Sequence, residues 1–336
     1  MRYLICAPAT LLALLLAATV SCSEPLAVTP LHTGNRSPLV QIFGLPEPAP
    51  ASILAHGRGE AGFYLDIASN YADEDTKREV LLLDGEAYRM TLACRYGLGE
   101  RFEAGIDLPF LGHGGGVFDR FIEGWHDFFG LPQGGRKEAP HNRLIYSYSI
   151  NGTERLKLDD SNFGIGDIRL TAGYQLYKGD AASPRALAMR GSVKLPTGDS
   201  SRLHGSGSVD TALWLDASDD YSVSVGHLAL FGSAGGMTMT RGDVLPDQQR
   251  SLAWFGTLGI GWAPADWIAF ILQLSGHTPF YDGSDLKELS SNALQLHSGG
   301  TLRLAESLFM DIAVSEDIAV KTAPDVTLHL AIRKTF

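Results

Sequence analysis

Runs of about ten residues in which every second side chain is apolar recur from Gly59 to the end of the chain, and a period of two is the mark of a β-strand with two unlike faces. "YRMTLACRYGL" sets Tyr88, Met90, Leu92, Cys94 and Tyr96 against Arg89, Thr91, Ala93 and Arg95. "RFEAGIDLPF" (101–110) sets Phe102, Ala104, Ile106, Leu108 and Phe110 against Arg101, Glu103, Gly105 and Asp107. "DIRLTAGYQLY" (167–177) and "RALAMRGSVKLP" (185–196) repeat the pattern. Further runs cover 208–217, 221–231, 251–262, 267–276, 293–304, 307–316 and 325–336.

Alternation alone fits a soluble sandwich as well as a membrane barrel. Length separates them. Sandwich strands run about five or six residues, whereas a tilted strand needs about nine to eleven to cross a bilayer. Trp254, Trp262, Tyr174 and Tyr96 sit towards run ends, where an interfacial aromatic girdle belongs. Connections alternate in length. Short ones are expected at 97–100, 217–220, 263–266 and 305–307, longer ones at 196–207, 232–250, 277–292 and 317–324. Short periplasmic turns and long outer loops are the habit of bacterial barrels, which carry an even number of strands. Twelve strands satisfy this parity if 111–164 is one outer excursion. Asn151-Gly152, a strong two-residue hairpin turn, then lies at the tip of a rim hairpin; the alternative makes it two further membrane strands, giving fourteen. The expected fold is thus all-β, a transmembrane antiparallel β-barrel of about 12 strands (alternative 14).

Residues 1–23 read as a signal peptide: Arg2, an apolar run from Ala7 to Val20, then small Ser21 and Ser23. Lipidation at Cys22 is the less favoured alternative. Once Cys6 and Cys22 leave with the signal, Cys94 stands alone, which excludes an internal disulfide and thiolate metal chemistry. Loss of Arg2 takes the formal charge from −11 to −12, so nucleic acid is not an expected partner. Residues 24–58 form a Pro-rich N-terminal segment with Pro25, Pro30, Pro38, Pro46, Pro48 and Pro50 and an apolar patch at 39–43. They have no clear period and are a candidate plug for the barrel of 59–336.

The end of the chain, "DVTLHLAIRKTF", resembles the terminal signal of bacterial outer-membrane proteins. Phe336, Ile332, Leu330 and Leu328 match it and Lys334 departs from it. That resemblance implies the bacterial outer membrane as location. It also implies the barrel assembly machinery, outer-membrane lipid and lipopolysaccharide as partners. "NRSPLVQIFGLP" (35–46), "RFEAGIDLPFL" (101–111), "GGGVFDRFIEGWHDFFGLP" (114–132) and "VKLPTGDSSRLHGSGSVD" (193–210) are similar to an uncharacterised bacterial family, domain of unknown function 3187. The family supplies compartment and architecture, and no activity.

Catalytic motifs are incomplete. "HGGG" at 113–116 resembles a lipase oxyanion loop, but the chain has no G-x-S-x-G elbow. "PTGD" and "GSGS" (196–199, 205–208) lack the ending of a phosphate loop. No His or Cys cluster has metal-ligand spacing. An enzyme, a metal site and a cofactor are therefore not expected. The polar strand faces are the better candidates. Assigned to the lumen are Arg89, Arg95, Glu103, Asp107, Asp167, Arg169, Arg190, Lys194, Asp210, Arg303, Asp311 and Arg333, whose mixed signs permit cross-strand ion pairs. A helix over 117–130 sets Phe118, Phe121, Ile122, Trp125, Phe128 and Phe129 on one face and is the expected gating element. The leading function is a narrow or gated channel for small or apolar solutes. The alternatives are a structural or surface-interaction barrel with a closed lumen, and a lipid-modifying enzyme.

Overall fold

The computed structural model describes residues 26–116, 142–180, 184–318 and 322–336. Among these residues fifteen strands form one antiparallel sheet: β1 (Gly59–Asp75), β2 (Glu79–Gly97), β3 (Phe102–Gly114), β4 (Ile145–Ile150), β5 (Thr153–Leu158), β6 (Asn162–Ile165), β7 (Arg169–Lys178), β8 (Ala186–Lys194), β9 (Asp210–Ser222), β10 (His227–Met239), β11 (Leu252–Ala265), β12 (Ile268–His277), β13 (Ala293–Ala305), β14 (Leu308–Asp317) and β15 (Val326–Thr335). Twelve of them close a ring. β1 pairs with β2 on one side and β15 on the other, β2 pairs with β3, and β3 with β7, after which neighbours follow in order to β15. Closure removes the edges that the ring strands would otherwise leave unpaired at membrane depth.

The remaining three strands stand on one rim. β4 pairs with the far part of β2 (Glu79–Asp84) and carries β5 beside it. β6 pairs with the last residues of β3. Asn151 and Gly152 hold φ of 51° and 73° between β4 and β5, the left-handed pair that a type I′ hairpin turn requires. The hairpin extends a strand above the ring and adds none to it, so the count is twelve rather than fourteen.

All-round alternation explains why these sequences close this way. Phe63, Leu92, Ile106, Leu170, Leu215, Leu230, Leu258 and Leu272 point outward and are exposed, Leu258 by 70%. Beside them in sequence Thr91, Asp107, Arg169, Asp216, Thr257 and Gln273 point inward and are buried. A surface this apolar is stable only against hydrocarbon. Tyr96, Phe102, Tyr177, Tyr221, Trp262, Trp267, Phe270 and Phe336 are exposed near the rim where the barrel begins and ends, and Trp254 lies towards the opposite rim. Phe336 exchanges both backbone hydrogen bonds with Gly59, at 2.8 and 2.9 Å, and so closes the seam between β15 and β1.

On this terminal rim the turns are short, as expected, at 98–101, 266–267 and 306–307. The turn expected at 217–220 is a correction: Asp219 and Asp220 lie inside β9, and the chain reverses at 223–226, where Gly226 takes φ +74°. Gly226 is the residue that tolerates left-handed backbone there, and a signal built on acidic residues does not register it. β10 consequently starts and ends later than the periodicity suggests. On the opposite, loop rim the connections are long except at 76–78, because β1 and β2 continue above the ring as one hairpin. The helix expected over 117–130, with all six of its apolar residues, and the signal peptide at 1–23 lie outside the described residues.

Candidate functional site

The barrel interior is filled by residues 26–58, which thread it from the terminal rim to the loop rim and back. The ascending arm starts with Leu26, packed against Ala263 and Ala269, its carbonyl hydrogen-bonded to His227 at 2.8 Å. Leu31 donates its N–H to Gln273 Oε1 (3.0 Å), and Gln273 Nε2 donates back to the Leu31 carbonyl (3.2 Å). Asn35 reaches the His277 ring at 2.9 Å and the Thr322 carbonyl at 2.8 Å. The chain reverses over Ser37–Phe43 and descends. Gly44 donates to Asp210 Oδ2 at 2.7 Å and passes so close to Lys194 that an added Cβ would lie 2.9 Å from that side chain. Near the terminal rim Gln175 accepts from the Ile53 N–H and donates to the Ala51 carbonyl, and Glu103 accepts from the Leu54 N–H. An irregular segment has no partner strand for its own backbone groups, and inward side chains supply the hydrogen bonds instead.

The apex is held differently. Leu39, Val40, Ile42 and Phe43 enter an apolar cluster at the loop rim with Leu81 and Leu83 of β2, Tyr146 and Tyr148 of β4, Trp214, Met237 and loop residues Leu203, Leu245, Phe280 and Tyr281. Phe43 stacks on Phe280 with centroids 4.8 Å apart and meets Tyr281 edge-on at 5.7 Å. Tyr281 donates its hydroxyl to the Leu39 carbonyl at 3.0 Å. The loop rim is therefore roofed by apolar side chains drawn from strands and loops well separated in the chain.

Between roof and terminal rim the wall is ionic. Arg190 lies between Glu103 (2.8 Å) and Asp216 (2.5 Å) and donates to the Pro50 carbonyl at 2.7 Å. Arg333 pairs with Asp311 at 2.7 Å and Glu60 at 3.5 Å, and Arg95 with Glu60 at 2.5 Å. Lys194 meets Asp167 at 2.6 Å and Asp210 at 3.2 Å. The "KLPTGD" and "GSGS" stretches, plain loop text in sequence, complete that cluster. Thr197 and Gly198 tie the loop to Gly166 and Asp167, Ser206 accepts from Lys194 at 2.5 Å, and Ser208 donates to Asp210 at 2.5 Å. Gly205 permits this, since a Cβ there would collide with the Asp167 carboxylate.

Glu47 of the descending arm joins three guanidiniums. Arg36 of the ascending arm reaches it at 3.1 Å, Arg169 is in direct hydrogen-bond contact, and Arg89 lies 3.9 Å away. Arg36 also holds Asp66 at 2.8 Å, and Arg169 holds Asp107 at 2.7 Å.

Of the twelve wall residues singled out in the sequence, Arg89, Glu103, Asp107, Asp167, Arg169, Arg190, Lys194, Asp210, Asp311 and Arg333 are buried. Arg95 and Arg303 are partly buried, the latter over the Phe309 ring at 5.9 Å. Glu60 and Asp216, which pair with members of the twelve, and Asp66, which pairs with Arg36, are not among those twelve, although each occupies an inward position of a strand. Arg36 and Glu47 lie in an aperiodic stretch and carry no signal beyond being charges among apolar residues. His297 approaches Ser315 Oγ of the neighbouring strand at 2.6 Å rather than Ser298, and His329 pairs with Asp66 at 2.7 Å. The cluster of His32, Glu47 and Asp107, whose donor atoms lie within 4.8 Å of one another, is surrounded by Arg36, Arg89 and Arg169, a setting hostile to a cation.

A closed antiparallel barrel with an apolar outer belt, aromatic girdles and a charged interior is an outer-membrane-type β-barrel. The chain belongs to the family described as protein of unknown function (DUF3187), which it matches over residues 6–336. Among solved structures it is similar to the COG4313 outer membrane channel from Pseudomonas putida F1, with 14% identity and a TM-score of 0.54 over 86% of this chain and 99% of that one. It is similar also to the NanC porin (8% identity, TM-score 0.42, 83% and 98% covered) and to the Ralstonia pickettii toluene transporter TbuX (9%, 0.34, 92% and 96%). The first of these likenesses supports the fold. Comparison with functionally curated proteins gives no match.

Proposed function

We propose that this protein is a plugged outer-membrane channel for small solutes, with residues 26–58 as the plug. The observation that carries the reading is the mismatch between wall and filling. The wall is polar and charged, as a surface made to meet water and solutes is. What fills it is a separate segment, joined to the barrel at the terminal rim and held by hydrogen bonds, ion pairs and one apolar apex. A barrel meant only as a scaffold fills with the side chains of its own strands, as small eight-stranded barrels do. Twelve strands leave more room than that, and here a removable body takes it.

The expected result in planar bilayers is rare, brief openings for the full chain and a steady conductance for a variant lacking residues 26–54. A variant that remains heat-modifiable yet does not conduct would replace this reading with the closed scaffold barrel.

Placement in the outer membrane, and assembly there through the terminal strand, are part of the same reading. Deleting Phe336 removes both seam hydrogen bonds to Gly59 and one girdle aromatic. The yield of heat-modifiable barrel in the outer membrane is expected to fall several-fold, by roughly what two backbone hydrogen bonds and an interfacial ring contribute. An unchanged yield would remove Phe336 from any role in assembly.

A further inference from the structure

Arg89 differs from other buried cations of the wall. Arg169, Arg190, Lys194 and Arg333 each pair with at least one carboxylate of the wall itself. Among the described residues Arg89 pairs with no wall carboxylate. Its Nη1 donates to the Gln41 carbonyl at 3.1 Å and its Nη2 lies 3.9 Å from Glu47, both in the threaded segment, and its Nε has no partner among the described residues. Asp66 stands directly opposite in the strand register but is taken by Arg36, Thr33 and His329. Two cavities of about 10 and 20 Å³ flank the guanidinium, and both amide atoms of Gln41, which lines each cavity, are unsatisfied. Cavities of this size hold a water molecule at most. The contact between Arg89 and the segment is thus loose where Arg169, Arg190, Lys194 and Arg333 are tightly paired.

The body presented to this arginine pair is a carboxylate on an apolar frame: Glu47 follows Leu45 and Pro46 and precedes Pro48. On the reading of the protein as a plugged channel, we infer that Arg89 and Arg169 form a carboxylate-binding site, that Glu47 occupies it as a built-in substitute, and that the transported solutes are small organic acids with an apolar body. Arginine suits the task because its planar fork matches a carboxylate and stays charged. A solute acid competes with Glu47 for the site, so arrival of solute favours departure of the segment, as any ligand shifts an equilibrium by its differential affinity.

The probes are benzoate and its neutral isostere benzyl alcohol, with current through the purified full chain in planar bilayers as the readout. Benzoate should raise the open fraction and benzyl alcohol should not. Glu47→Gln should open the channel without any acid, and benzoate should then block its chloride current. Adding Arg89→Gln should weaken that block roughly tenfold, the factor of one charge-assisted hydrogen bond. Equal effects of the two probes on the full chain, a comparison that needs no substitution, would overturn the carboxylate site. So would an open Glu47→Gln channel whose benzoate block survives Arg89→Gln, which is the outcome if Asp66 captures Arg89 once the segment leaves. If neither Glu47→Gln nor the variant lacking 26–54 conducts, the channel reading itself fails and takes this inference with it.

Discussion

Replacing Arg190 with Leu is expected to destabilise the barrel by about 3–5 kcal/mol, the cost of leaving buried charge without its partner. Arg190 is 1% exposed, and its loss strands Glu103 and Asp216 in a water-poor interior together with the unsatisfied Pro50 carbonyl. Urea unfolding in lipid vesicles reads the effect. The sign is as informative as the size. An arginine facing hydrocarbon near the bilayer midplane would gain about 2–4 kcal/mol on the same change, so a stabilised Leu variant would reverse the register of β8. The exposed pair Arg185–Asp219, 2.9 Å apart at the terminal rim, is the natural control. Arg185→Leu should change stability by no more than about 1 kcal/mol.

Phe43→Ala is expected to release the threaded segment while leaving the ring intact. Phe43 is the aromatic anchor of the apex, packed on Phe280 and Tyr281, and truncating a buried Phe costs about 3–5 kcal/mol. That cost falls on the apolar roof and the segment it holds, because β1 to β15 make no use of Phe43 for their pairing. A loss of this size multiplies the released population about a hundredfold or more. Open probability in bilayers should rise accordingly, and a protease added from the terminal-rim side should cut within 26–58 at rates the parent chain does not show. Unchanged conductance together with unchanged protease resistance would mean that the wall contacts alone hold the segment, and the roof would lose its place in gating.

The features legible in the sequence by itself are those that depend on period and length. Leu92 between Arg89 and Arg95, Leu170 next to Arg169, and Ile332 next to Arg333 state which residue faces which side, since a strand offers only two faces and a bilayer accepts only one kind on the outside. Length of run identifies the bilayer, and parity of turns leaves twelve or fourteen strands, between which the rim pairing of the hairpin at Asn151-Gly152 decides for twelve. The turn at 223–226 is the exception, because Gly226, a single residue with left-handed backbone, outweighs the acidic stretch before it.

What only the tertiary structure decided is how the interior is filled. Glu47, Arg36 and Gln41 lie in a stretch without period, so nothing local says that they face Arg89, Arg169 and Asp66. The loop text around Gly205 and Ser206 reads as connection until it folds back onto Lys194. Phe43 and Phe280 meet although most of the barrel wall separates them along the chain. Strand faces follow from local geometry, because alternation is a property of neighbouring residues. The partners of a charge inside a closed barrel are chosen by closure, which brings β1 beside β15 and draws an aperiodic segment into the space the ring leaves, and the cost of an unpaired buried charge then selects the one arrangement in which nearly all are paired.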